Sequence, residues 1–568
     1  MSLNGLLNIG GTALAVNTSA IQTTGNNIAN VGNADYTRQS VKLGSTVDTK
    51  VGPGQFVGNG VRLDGIARQI NEALEARLRG ATSDGSSANA RQDWLGRVES
   101  VFNELSDSDL STKLSTFFKG WSDLANKPQD AGLRQVVLQN ATSVTEWFHQ
   151  IDNSLDALQG DLNNQVKGLS ERADHIAGEI AKLNARVTAA EGGNQGASAN
   201  GLRDQRDALI KELSGLMDIQ TVQTSNGSMN VYVGSEPLVF NAQSSGITSV
   251  QKQVGEHTVL MPAFKKNNGV LKLESGQLGA LGKVGESIRD AADHVDSLAS
   301  SLSFELNKIH SSGQGLAGLP SVIGSASVID STKPLTSPDA GLEQLPANGS
   351  FVVHVKDKAT GLSTSTLVKL DLNGDGSDTT FDSLIAQINA VDGVTAVNNG
   401  GRLQMSADDA PQSELTFSQD SSGVLAALGI NTFFSGTDAR SIDIAASIKK
   451  DINLIAAARN GDSGDNQTAL AIAKLESTSV TSLRGATMKD SYGELIGQLA
   501  AKTSQASTDV QSTDAVTQTL QNQREMISGV SMDEEAVNLM RYQRAYQGAA
   551  RLVTVVDELM DTMMNMVR

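Results

Sequence analysis

The 568-residue chain carries 45 basic against 63 acidic residues, a formal net charge of −18, and no cysteine. Disulfide frameworks, thiolate nucleophiles, cysteine–zinc sites and iron–sulfur clusters are thereby excluded, and no basic run is present to hold nucleic acid. Aromatics are 4% and prolines number 9, so ring-built cores and rigid proline linkers are excluded as well; the length suggests roughly three or four domains.

From Met1 to Ala34 there is no charged residue, the first being Asp35. The start lacks the basic-then-apolar pattern of a cleaved signal, and no run approaches the ~18 apolar residues of a membrane helix, so neither a signal peptide nor membrane insertion is expected. Leu7, Leu14, Ile21 and Ile28 recur every seven residues. They predict a helix over Met1–Ala34 whose single apolar stripe is too thin to hold it in water unaided.

A stronger signal follows. Val144, Phe148, Ile151, Leu155, Leu158, Leu162, Val166, Leu169, Ala173, Ile176, Ile180, Leu183 and Val187 alternate spacings of three and four, with one stutter at Leu162–Val166, the pattern of a coiled-coil helix that Gly192–Gly193 ends. Asn230–Val233, Leu238–Phe240 and Val270–Leu273 bracket a small β region. Leu281, Val284, Ile288, Ala291, Val295, Leu298 and Leu302 then resume the helical rhythm up to Gly313. Gly313, Gly315 and Gly318 match a dinucleotide pattern, but a helix precedes them and no βαβ unit surrounds them, so no phosphate cradle is expected.

Phe351, Val353 and Val355 alternate, as do Val368, Leu370 and Leu372; a helix is expected over Phe381–Val391, then strands at Val394–Val397 and Leu403–Met405 joined through Asn398–Gly401. Asp371, Asn373, Asp375 and Asp382 resemble the opening of a calcium loop. A strand, not a helix, leads into them, so a polar turn and a helix cap explain them equally well, and no metal or other cofactor is assigned. The six histidines never fall at the i, i+4 spacing of a helical metal pair, and His149 and His175 read as exposed residues on charged helix faces. No nucleophile elbow or P-loop is present, and nothing argues for an enzyme.

A third, polar-diluted run (Ile496, Leu499, Thr503, Ala506, Val510, Thr513, Thr517, Leu520) precedes the last helix. Ser531 and Asp533–Glu535 make a good start for a helix over Asp533–Val567. Two rows run along it: Ala545, Leu552, Leu559 and Met566, beside Ala549, Val556 and Met563. At ~1.5 Å per residue each terminal helix spans about 50 Å, so the two arms can pair. The expected fold is mainly α with β insertions (α+β): paired terminal coiled-coil helices, a long-helix bundle stalk, and one or two small β-rich outer domains. The boundaries expected are 1–60 with 505–568 for the terminal domain, 61–218 with 276–319 and 441–504 for the bundle, and 219–275 and 320–440 for the β regions.

The ends also resemble a known family. Asn26-Asn27-Ile28-Ala29-Asn30-Val31-Gly32-Asn33-Ala34-Asp35-Tyr36-Thr37-Arg38 is similar to the amino-terminal signature of the flagellar rod, hook and hook-associated proteins. Ser531 to Leu539, continuing through Tyr542-Gln543-Arg544-Ala545-Tyr546, is similar to their carboxy-terminal one. Ala199–Asp207, Asn307–Gly313 and Ala427–Phe434 resemble interior motifs of the longer, hook-associated members. The resemblance implies a structural subunit exported unfolded through the flagellar type III apparatus with an export chaperone. It would assemble with its own copies between the hook protein below and a second junction protein or the filament above. Its bundle would form a wall with the β regions outward. The implied assembly interface is Leu7, Leu14, Ile21, Ile28, Asn30, Tyr36, Ala545, Leu552, Val556, Leu559, Met563 and Met566. The competing readings are another axial subunit of hook or rod type, and a secreted coiled-coil adhesin or enzyme displaying a binding β domain.

Overall fold

The computed structural model describes residues 3–103, 109–192, 198–255, 257–462 and 464–566. The helix ends expected at Met1, Gly193 and Val567 lie outside the described residues. In chain order the helices are α1 (Leu3–Ala29), α2 (Glu72–Asn103), α3 (Leu110–Asn126), α4 (Ala131–Glu191), α5 (Asn200–Leu216), α6 (Gly276–Ser311) and α7 (Phe381–Asn389). Three short helices follow, α8 (Val424–Ala427), α9 (Ala446–Lys450) and α10 (Gln467–Lys474), before α11 (Met488–Ser528) and α12 (Met532–Met566). The fold is α+β, as the hydrophobic periodicities predict. The chain divides into two compact units, one of Met1–Trp94, Asp161–Gly285 and Thr503–Arg568, the other of Leu95–Gly160 and Glu286–Lys502.

In the first unit α1 stops at Ala29, short of the expected Ala34, because Gly32 takes a left-handed φ of 81° and turns the chain. Two antiparallel hairpins follow that the periodicity did not indicate, Gln39–Ser45 with Val61–Arg68 and Thr49–Gly52 with Gln55–Val57. The α4 positions from Leu162 to Val187 are all buried. Leu74, Leu78 and Ala81 of α2 close a small cluster with Leu520 of α11. A four-stranded sheet spans Gln220–Ser244, pinned to α4 by buried Asn184, which donates to the carbonyls of Met229 (2.8 Å) and Asn241 (2.7 Å) and accepts from the Met229 amide (2.9 Å). The strand expected at Val270–Leu273 does not form. Only an isolated bridge joins Val270 to Ala263, and Leu271 is buried singly before the chain turns at Gly276, where a Cβ would lie 2.5 Å from the Met217 backbone.

The second unit buries the remaining α4 positions from Val144 to Leu158, together with Ile288 to Leu302 of α6. Scarce as rings are, they concentrate here: Phe117, Trp121, His310, Phe433 and Phe434 contact one another with centroids 5.0–6.3 Å apart. This is a ring-built core, contrary to the compositional expectation. His310 shows why it is specific. Its Nε2 accepts from the Ala456 amide (2.9 Å) and its Nδ1 lies 2.8 Å from the Asn431 carbonyl, so the ring is neutral; burial holds its pKa down at about 4.

The β region of this unit has its own core, including Phe351, Val353, Val368, Phe381, Ile388, Leu403, Met405 and Phe417. One sheet orders Ser363–Leu370, Gly349–Asp357 and Ser413–Ser418; another orders Ser321–Ile323, Arg402–Ala407 and Val394–Asn399. The predicted turn closes the second pair, with Gly400 and Gly401 at φ 62° and 89°. α7 begins at a capping box of Thr380 and Ser383 and ends at Asn389, two residues short of expectation.

Candidate assembly interface

α1 and α12 lie antiparallel, since Asn27 meets Glu535 at one end and Gly10 meets Val553 at the other. The buried face of α1 is Gly10, Val16, Ala20, Thr23, Thr24 and Asn27; that of α12 is Glu535, Ala549 and Val556. Small side chains let the backbones approach. A Cβ on Gly10 would come within 2.6 Å of Val553 Cγ2, so any side chain there forces Val553 to move. Several uncharged polar residues of α1 satisfy themselves on their own helix. Asn17, Thr18, Ser19 and Thr23 donate to the carbonyls of Ala13, Leu14, Ala15 and Ser19 at 2.8–3.2 Å. A helix so arranged can be surrounded by other chains without stranding polar groups.

The two sequence signatures meet in a buried polar clasp. Asn27 Nδ2 donates to Glu535 Oε2 (2.9 Å) and to the Gln39 carbonyl (2.9 Å), and its Oδ1 accepts from the Tyr36 hydroxyl (2.8 Å) and the Gln39 amide (3.1 Å). Arg38 places Nη2 2.7 Å from Glu535 Oε1 and Nη1 2.9 Å from Glu534 Oε2. Burial, with Asp204 and Glu535 nearby, pushes the Tyr36 phenol up to about 12, so it stays a donor. The surrounding chain is tied down too. Arg38 N donates to the Ser528 carbonyl (2.9 Å), and Arg524 bonds both the Ala34 carbonyl (2.8 Å) and Glu75 (2.9 Å). Arg68 bridges Asp204 and Asp207 at 2.8 Å each.

The expected interface residues fall into three groups. Leu7, Leu14, Ile21, Ile28, Asn30, Tyr36 and Leu552 are half-buried, and Val556 is buried. Asn30 and Tyr36 line an open groove of about 1050 Å³ with His175, Glu179, Asn200 and Asp204. Ala545 is exposed, and Leu559, Met563 and Met566 remain 48%, 52% and 76% exposed. The heptad stripe of α1 thus flanks the seam instead of filling it. Periodicity missed Gly10, Val16, Ala20, Asn27, Arg38 and Glu535; the paired signatures at the two chain ends were the signal that pointed to the last three.

Elsewhere the motifs are structural. Asn373 accepts from the Asp375 amide (3.0 Å), Asp375 from Ser377 (2.7 and 3.0 Å), and Asp382 from Ser331 (3.0 Å). Among the described residues no group of three or more histidines and carboxylates is placed to hold a metal. The glycines of 313–318 answer to close approach, a Cβ on Gly315 falling 2.2 Å from the Asn453 carbonyl. His175 is exposed as expected, whereas His149 is half-buried, its Nε2 2.8 Å from the Ile442 carbonyl. No described helix is long and apolar enough to cross a membrane.

Residues 95–323 match the family described as "Flagellar hook-associated protein FlgK helical domain", and 521–566 match "Flagellar basal body rod FlgEFG protein C-terminal". The chain is 24% identical over 587 residues to flagellar hook-associated protein 1 of Escherichia coli K12, covering 99% of this chain and all of that one. It is also 24% identical over 561 residues to the protein of that name in Bacillus subtilis 168, covering 97% and 96%. The solved flagellar hook junction protein FlgK of Burkholderia pseudomallei aligns with TM-score 0.49 and 15% identity over 80% of this chain and all of that one.

Proposed function

From the premise that the chain belongs to the flagellar hook-associated protein family and is a structural component of the bacterial flagellum, we propose that it forms the junction between hook and filament. It reaches the flagellum unfolded through the flagellar export apparatus, attended by an export chaperone. It then completes its fold on assembly, with hook protein below, a second junction protein or filament above, and its own copies alongside.

The observation that carries this reading is the outer face of α12, where Val555, Leu559, Met563 and Met566 stand 48–76% exposed on a helix whose own partner covers little beyond Ala549 and Val556. Ordering backbone costs about 1–2 kcal/mol per residue, so helices with so little buried apolar area stay disordered until neighbours cover them. Contacts between unlike faces propagate along a helical lattice.

Hydrogen exchange and limited proteolysis of the dilute full chain test it: α1 and the distal part of α12 should exchange and cleave quickly while roughly 60–520 resists. Leu14→Asp should leave the resistant core intact and abolish incorporation into flagella. Protected tails in a dilute monomer, or normal incorporation of Leu14→Asp, would overturn the proposal.

A further inference from the structure

The apolar rows of α12 repeat every seven residues, and so do Leu7, Leu14, Ile21 and Ile28 of α1. These stripes largely flank the seam, whose own facing residues are mostly small or polar, so hydrophobic burial by itself holds the register only weakly. Two features of the seam respond sharply to a slide of one heptad. The first is polar. Asn27 is 1% and Glu535 2% exposed, and among the described residues the carboxylate bonds Asn27 and Arg38. A slide of seven brings Ala20 opposite Glu535 in one direction and carries Glu535 past the end of α1 at Ala29 in the other, and either leaves a buried carboxylate without the Asn27 amide, a strongly penalised state. The second is steric. Val553 occupies the notch at Gly10, and the same slides bring Leu3 or Asn17, each with a side chain, opposite it.

We propose that Asn27 and Glu535, with the Gly10 notch, are the positioning residues that fix the register of the tail pair, and with it the pattern of apolar residues that α12 presents to neighbouring copies. Asn27 is itself held by Gln39 and Tyr36, and Glu535 by Arg38. The register is therefore referred to the folded hairpin region and not merely to one helix against the other. This rests on the assembly reading above.

The chain has no cysteine, so paired spin labels can be placed cleanly at exposed Gln22 and Gln543. Labelled chains are co-assembled into flagella with an excess of unlabelled chain. The wild type should give one narrow distance. Asn27→Leu with Glu535→Leu should keep its helicity but add a second, separate distance population from an axial slide of about 10 Å, one heptad at ~1.5 Å per residue, and lose at least tenfold in incorporation. Gly10→Val should lose incorporation to the same extent, and adding Val553→Gly should restore it by moving the knob to the other helix; this arm decides the matter if the leucine pair does not assemble.

A single wild-type distance in the leucine pair, or full incorporation of Gly10→Val, would overturn the register assignment while leaving the assembly reading intact. Protected tails in the dilute wild-type subunit would overturn ordering on assembly and leave the register assignment standing.

Discussion

Along α4 every apolar position of the run from Val144 to Val187 is buried; along α12 the same seven-residue rhythm leaves Leu559, Met563 and Met566 48–76% exposed. Both helices are long, and both carry a recognisable apolar periodicity. The difference lies in what each chain supplies to cover its stripe. α4 is met by apolar residues from the chain's own helices and sheets, whereas α12 is met by one neutral helix whose facing residues are Gly10, Val16, Ala20, Thr23 and Thr24. A stripe with a private partner makes a core. One with half a partner makes a surface awaiting neighbours.

The sharpest break of that comparison is a change on the private side. Trp121, fully buried among Phe117, His310 and Phe433, should on conversion to alanine cost about 3–5 kcal/mol. Calorimetry of the full chain should show this loss with no change in hydrogen exchange of the tails; altered tail exchange would mean the two regions are coupled.

Next is acid. His310 titrates at about 4 in the fold against about 6.5 when unfolded, so the unfolded chain alone takes up this proton between those values. Its contribution is therefore fully present above pH 6.5 and is lost as the pH falls toward 4, by about 3 kcal/mol in all. A melting series over that interval should show the slope, and His310→Gln should remove this part of it.

Smaller still, Thr380→Ala deletes the cap of α7 and should cost about 1 kcal/mol in denaturant titration. Smallest is Met563→Ser, on the exposed face. The soluble subunit should stay within about 0.5 kcal/mol of wild type, yet incorporation into flagella should fall severalfold. A destabilised subunit would mean that Met563 belongs to a private core.

These contrasts explain what could be read from the sequence. The interior helices were legible position by position because their partners are apolar and in the same chain. So was the Asn398–Gly401 turn, because only glycine at its positive φ values closes it. The α1 seam was not. Apolarity pointed to Leu7, Leu14, Ile21 and Ile28, but close backbone approach selects small residues, and the stripe was displaced to the flanks of the contact. The hairpins over 39–68 were hidden because their strands bury little, with Leu43 and Phe56 at 50% and 62% exposure. Asn27, Arg38 and Glu535 were legible only as members of two signatures. Nothing in a hydrophobic pattern announces that an asparagine and a glutamate 508 positions apart will share a hydrogen bond.

The neutrality of α1 has a consequence for the medium in which this seam works. With no formal charge before Asp35, α1 itself offers dissolved salt nothing to screen, and ionic strength acts on the tail pair through the guanidinium–carboxylate contacts of Arg38 at one end. Strongly hydrated salts such as sulfate tighten apolar contact, so such a salt weakens the Arg38 end while drawing the apolar remainder closer.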